Sequence, residues 1–167
     1  MEEAWYQGKV YVHNGHTWYE KRCFHIPPKE IQAHLNQQLT QLQQEIPKDK
    51  SPAQLLDFAR AASEKGQVSY AKRILEEVLS ENPNDVAALC LLSSLLRLME
   101  RPQEALRLTE GDIETTQELL LERASVLVDL HRFQEAERAI LRSLEMGQSE
   151  LAYALLRRLA TTHAQAA

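Results

Sequence analysis

Beyond residue 50 the apolar residues fall at helical spacing, broken by short polar or glycine-containing stretches. Leu55, Phe58, Ala59 and Ala62 share one helical face; Gly66 interrupts, and Ala71, Leu75 and Val78 take the spacing up again before Pro83. Intervals of three and four residues put side chains on one side of a helix, so this stretch predicts two amphipathic helices joined at Gly66. Ser51 is placed to cap the first of them, with Pro52 at its first helical position.

The pattern then returns twice. Leu89, Leu92, Ser93, Leu96 and Ala105 follow from about Val86, and Ala124, Leu127, Phe133, Ala136 and Ile140 from about Gln117. The second pair lacks a terminal proline and stops early at Gly111-Asp112, whereas Met146-Gly147 closes the third. A last helix from about Ser149, its expected N-cap, carries Leu151, Ala154, Leu155, Leu156 and Leu159. Ala71, Ala105 and Ala136 are separated by 34 and 31 residues. A period of that size predicts stacked helical hairpins, each burying its apolar face against its neighbours.

The opening 50 residues follow another pattern. Six of the ten aromatic residues lie in the first 24 positions: Trp5, Tyr6, Tyr11, Trp18, Tyr19 and Phe24. Two β-prone runs meet at Asn14-Gly15, which predicts strands over about 8–13 and 16–22. A two-residue turn sets Tyr11 opposite Trp18 on one face and Val10 opposite Tyr19 on the other. A lone hairpin is marginal in water, so Trp5, Tyr11, Trp18 and Tyr19 form a candidate contact surface, covered by the chain's own helices or by a second chain. A helix over about Lys29 to Glu45 follows, with Ile31, Leu35, Leu39, Leu42 and Ile46 in one stripe. Its expected place is against the first helical hairpin; the alternative is a homodimer seam through residues 1–46. The segments are thus 1–26, 27–50 and 51–167.

Over about residues 52–162 the hairpins resemble the tetratricopeptide repeat (TPR) family. Gly66 stands where that family turns, Ala71 where its two helices cross closely and Pro83 where the second ends, while leucine replaces the signature aromatic of the first helix in all three units. Residues 1–50 carry no such resemblance. The resemblance implies a mainly α fold: a superhelix of three hairpins plus a capping helix, preceded by the β-hairpin and the amphipathic helix. It also implies a concave groove lined by Leu56 and Arg60, then Cys90, Ser94, Arg97 and Leu98, then Leu121, Ser125 and Val128. The lysine and asparagine clamp with which some family members hold chaperone tails is absent from the matching positions.

The helix over 86–99 is apolar nearly all round, and such a helix needs cover on every side. An apolar patch left open on a soluble protein marks an interaction site. The expected function is therefore non-enzymatic capture of a peptide or helix of another protein, with Arg60 and Arg97 pairing a ligand carboxylate. Alternatives are a dedicated chaperone for a secreted or assembling subunit, and a structural subunit that docks through residues 1–46.

Charge and composition narrow the classes. The formal net charge is -5. Residues 1–50 carry six acids and six bases, and residues 51–167 carry 18 acids against 13 bases. A phosphate backbone is repelled at long range, so nucleic acid is not expected. No apolar run is long enough to span a bilayer, and the acidic start is unlike a signal peptide, which predicts a cytoplasmic protein. Cys23 and Cys90 imply no disulfide framework. His13, His16, Cys23 and His25 have loose metal-like spacing, but strand alternation sends His16 and Cys23 to opposite faces, so no metal, cofactor or catalytic residue is expected.

Overall fold

A computed structural model describes residues 2–110 and 116–166, and these hold a three-stranded sheet and eight helices. The fold is mainly α and TPR-like. Two compact units divide the chain at Met1–Glu77 and Val78–Ala167. Gly111-Asp112, the expected stop of the second hairpin, lies outside the described residues.

In the first unit β1 (Glu2–Tyr6), β2 (Lys9–His13) and β3 (Trp18–Glu20) form an antiparallel sheet in the order β1-β2-β3. Strand β1 was not expected from the sequence. It is joined to β2 through Gln7 and Gly8, both with positive φ (50° and 72°), as a tight hairpin turn matched to strand twist requires. The second hairpin corrects the expected register: His13 pairs with Trp18 and Tyr11 with Glu20, so the connection is the four residues from Asn14 to Thr17. The Asn14 side chain causes this. Its Oδ1 accepts from the backbone N–H of His16 (3.0 Å) and of Thr17 (2.9 Å), closing a longer loop than Asn-Gly alone makes. A slip of two residues preserves the faces, so Tyr11 and Trp18 still share one side.

That side is covered by α1 (Lys29–Gln43). Ala4, Tyr11, Trp18 and Leu35 form a buried cluster, with Ile31, Leu39 and Tyr6 packed against it. The Ile31, Leu35 and Leu39 part of the α1 stripe therefore lies on the sheet. An aromatic face and an apolar helix stripe satisfy each other within the chain. Beyond α1, the Tyr70 hydroxyl donates to the Glu45 carbonyl (2.9 Å) and Arg73 to the Gln44 carbonyl (2.8 Å). These bonds tie the linker to α3 (Val68–Glu81). α2 (Pro52–Glu64) opens with a full capping box between Ser51 and Gln54 and with Pro52 at its start.

In the second unit α4 (Val86–Leu98), α5 (Pro102–Thr109), α6 (Gln117–Asp129), α7 (Phe133–Met146) and α8 (Glu150–Ala166) pack in sequence, and α6 meets α4, α5, α7 and α8. Asp85, Thr116 and Ser149 offer side-chain oxygens to the first turns of α4, α6 and α8.

The repeat is visible in the turns. After α2, α4 and α6 the chain passes through Gly66, Glu100 and His131 at φ 73°, 58° and 59°. The next N–H reaches back to the carbonyl five residues earlier each time: Gln67 to Ala62 (2.8 Å), Arg101 to Leu96 (2.8 Å) and Arg132 to Leu127 (2.9 Å). This is the left-handed helix end that satisfies orphan carbonyls. Ala71, Ala105 and Ala136, each the fourth residue of its helix, are fully buried. Arg101 grips Glu104 through Nε (2.6 Å), and Arg132 grips Glu135 through Nε and Nη2 (both 2.7 Å), so the shared Arg-x-Gln-Glu-Ala segments staple the first turns of α5 and α7.

Candidate functional site

The expected groove residues fall in both units. In the first, Leu56 is half-buried on α2, and Arg60 is exposed with Nη1 3.9 Å from Asp57 Oδ1. In the second, Cys90, Ser94, Arg97 and Leu98 recur at helical intervals along one stripe of α4. Cys90, Ser94 and Arg97 are half-buried, whereas Leu98 stands 71% exposed at the helix end. Leu121, Ser125 and Val128 of α6 are buried, and the Ser125 hydroxyl donates to the Leu121 carbonyl (2.9 Å). These three side chains are packed inside the second unit.

Arg97 does not wait for a ligand. Its Nε donates to Asp129 Oδ2 (2.6 Å) and its Nη1 to Glu122 Oε1 (3.5 Å), which also accepts from the buried Ser93 hydroxyl (2.9 Å). Arg158 of α8 approaches the other oxygen of Asp129 (3.6 Å). Burial pulls the Arg97 guanidinium down, but the Asp129 hydrogen bond and the charges of Glu122 and Asp129 outweigh it and leave it raised. Sequence reasoning missed these acids. Glu118, Glu122 and Asp129 are spaced to share one face of α6, and that periodicity was the available signal.

Cys90 feels the same charges. Burial first, then Glu122 and Glu118, push its thiol up to about 12, which makes it a poor nucleophile. The α4 stripe thus sets an exposed leucine and a neutral thiol near the acids of α6.

Two residues of the expected aromatic surface are used internally. Tyr11 and Trp18 are buried against α1, and the Trp18 indole donates to Asn36 Oδ1 (2.8 Å). Tyr19 lies on the opposite face, stacked on the exposed Phe24 with ring centroids 5.6 Å apart. The Trp5 side chain lies outside what the structure describes. His13 packs on Trp18 at 4.9 Å, and among the described residues no three His, Cys, Asp or Glu side chains are placed to hold a metal. Among them, too, no helix is long and apolar enough to cross a membrane.

No protein-family model matches the chain, and no curated protein matches it in sequence. Solved structures do match. The chain is similar to the Arabidopsis OM64 TPR domain, with 16% identity and a TM-score of 0.51 over 66% of this chain and 95% of that one. It is also similar to a chain in the cryo-EM structure of the Sec complex from S. cerevisiae, Sec61 pore ring and Sec63 FN3 double mutant, class without Sec62. That match has 15% identity and a TM-score of 0.52, covering 93% of this chain and 97% of that one. Likeness at this level of identity concerns the fold, and the fold is TPR-like.

Proposed function

We propose that this chain is a non-enzymatic protein-interaction module of the cytoplasm, an adaptor or assembly factor that holds a peptide or helix of another protein. The exposed Leu98 carries the reading: the most apolar helix of the chain ends in a large side chain left in water, in line with Cys90 and Ser94. Repeats of this architecture use such faces for partners. Leu56 and Arg60 are the corresponding positions on α2. Because Arg97 is held by Asp129 and Glu122, it acts as fixed wall, and the acids of α6 favour a segment whose apolar residue is flanked by Lys or Arg.

Affinity capture of the native partner tests this. Leu98→Glu is expected to abolish capture with unchanged helicity, and Cys90→Glu to weaken it. Undiminished capture by both variants overturns the reading.

A further inference from the structure

A second surface lies between α6 and α7. A cavity of about 190 Å³ is lined by Leu120, Arg123, Glu135, Arg138, Ala139 and Arg142. A second, of about 340 Å³, is lined by His131, Arg132 and Phe133 and shares Glu135 and Arg138 with the first. Sharing two walls, they form one furrow along the hairpin. Its floor is apolar, since Leu120 and Ala139 are buried, and His131 and Phe133 meet edge-to-face at 5.6 Å at one end.

The charge of this furrow runs against that of the whole. The chain has a net charge of -5, yet four arginines line the furrow against one carboxylate. That carboxylate, Glu135, is clasped by both nitrogens of Arg132. Among the described residues Arg123 pairs with Glu110, at 3.5 Å between side chains that are each 38% exposed. Arg138 donates to the Gln134 carbonyl at 3.3 Å, and neither it nor Arg142 forms a salt bridge among the described residues. Among the described residues, three guanidinium groups thus ring an apolar floor with little internal compensation.

We infer that the α6–α7 furrow docks an acidic peptide segment of a partner protein, its carboxylates on Arg123, Arg138 and Arg142 and an apolar side chain between Leu120 and Phe133. Planar guanidinium groups suit bidentate carboxylate binding, and the aromatic end suits an apolar residue. Polyanions such as RNA are disfavoured, because the basic stretch is short and the surrounding protein is acidic. The lowered Glu135 carboxyl supports the geometry: after the Arg132 hydrogen bond, the charges of Arg138 and Arg123 both act on it. The site is separate from the Leu98 face and does not depend on it.

Fluorescence anisotropy with a labelled peptide of Glu-Glu-Leu repeats and its Gln-Gln-Leu counterpart tests the inference on the full chain. The acidic peptide is expected to bind, more weakly as salt rises, and the glutamine peptide not to bind. Arg138→Glu and Arg142→Glu, both at exposed positions, are each expected to weaken binding by roughly tenfold or more, with the circular dichroism spectrum unchanged. Lys29→Glu, at an exposed position of α1, serves as the charge control and is expected to leave binding within about twofold. No binding by the native chain, equal binding of the two peptides, equal loss in the Lys29 variant, or tighter binding of an RNA oligonucleotide of equal charge each overturns it.

Discussion

The Arg97 guanidinium and the Asp129 carboxylate, 32 positions apart, meet at 2.6 Å and join α4 to α6. Both side chains are largely shielded from water, so removing one leaves the other poorly compensated. Asp129→Ala is expected to lower stability by about 1–3 kcal/mol in urea unfolding. The double change Arg97→Leu with Asp129→Leu is expected to cost less than the sum of the two single changes, because the two partners of the 2.6 Å pair leave together while Glu122 keeps the Ser93 hydroxyl.

Two of the three equivalent turns carry a side chain where the backbone is left-handed. Replacing Glu100 (φ 58°) or His131 (φ 59°) with glycine relieves a strain of about 1–2 kcal/mol and adds freedom to the unfolded chain. Each is expected to give a net gain of about 0.5–1 kcal/mol, read as a higher midpoint in thermal melts. Gly66→Ala is expected to lose about 1 kcal/mol; a Cβ there meets no atom within 4 Å, so the loss comes from φ alone.

These turns show what local chemistry makes legible in a sequence. The buried alanines, the Ser51-Pro52 cap and the stop at Gly66 each act over a few residues, and they appear where the pattern puts them. Register and partner choice are not local. The Asn14 side chain reset the hairpin by two residues, and β1 became visible only by its pairing with β2, although Gly8 marked the turn. The stripe on α1 showed that a contact exists without showing which surface supplies it. Groove residues read by resemblance came out divided: Leu98 faces water, Leu121, Ser125 and Val128 are interior, and Arg97 has carboxylates of its own. A repeat pattern marks which face of a helix is inside; it does not mark which charges a neighbouring helix brings.

Trp18 is the keystone of the sheet and α1, fully buried with its indole bonded to Asn36. Trp18→Ala is expected to cost about 3–5 kcal/mol and to expose residues 1–50 to limited proteolysis. Asn36→Ala is expected to cost about 1 kcal/mol, with the Trp18 emission shifted to the red.

The two cysteines are expected to label at different rates. Cys23 is exposed, whereas Cys90 is half-buried with its thiol pushed up to about 12. At pH 8 the thiolate fraction of Cys90 is then roughly a thousandth of that at an ordinary pKa of about 9. Glu118→Gln with Glu122→Gln is expected to speed Cys90 labelling. An acid whose folded value is raised favours folding below its unfolded value and loses that contribution as pH rises. Stability is therefore expected to decline above about pH 9, and less so in Cys90→Ala.

A single amide finishes the third hairpin. Gln117, the first residue of α6, donates through Nε2 to the carbonyls of Ser143 (2.9 Å) and Gly147 (2.7 Å) at the far end of α7. The glycine itself is dispensable: its backbone is extended, and an added Cβ would only touch the Gln117 side chain at 3.8 Å. The clasp makes the hairpin a closed loop whose beginning holds its own end. Insertions after Gly147, between the clasp and α8, are therefore expected to leave the hairpin closed, provided position 117 keeps its amide.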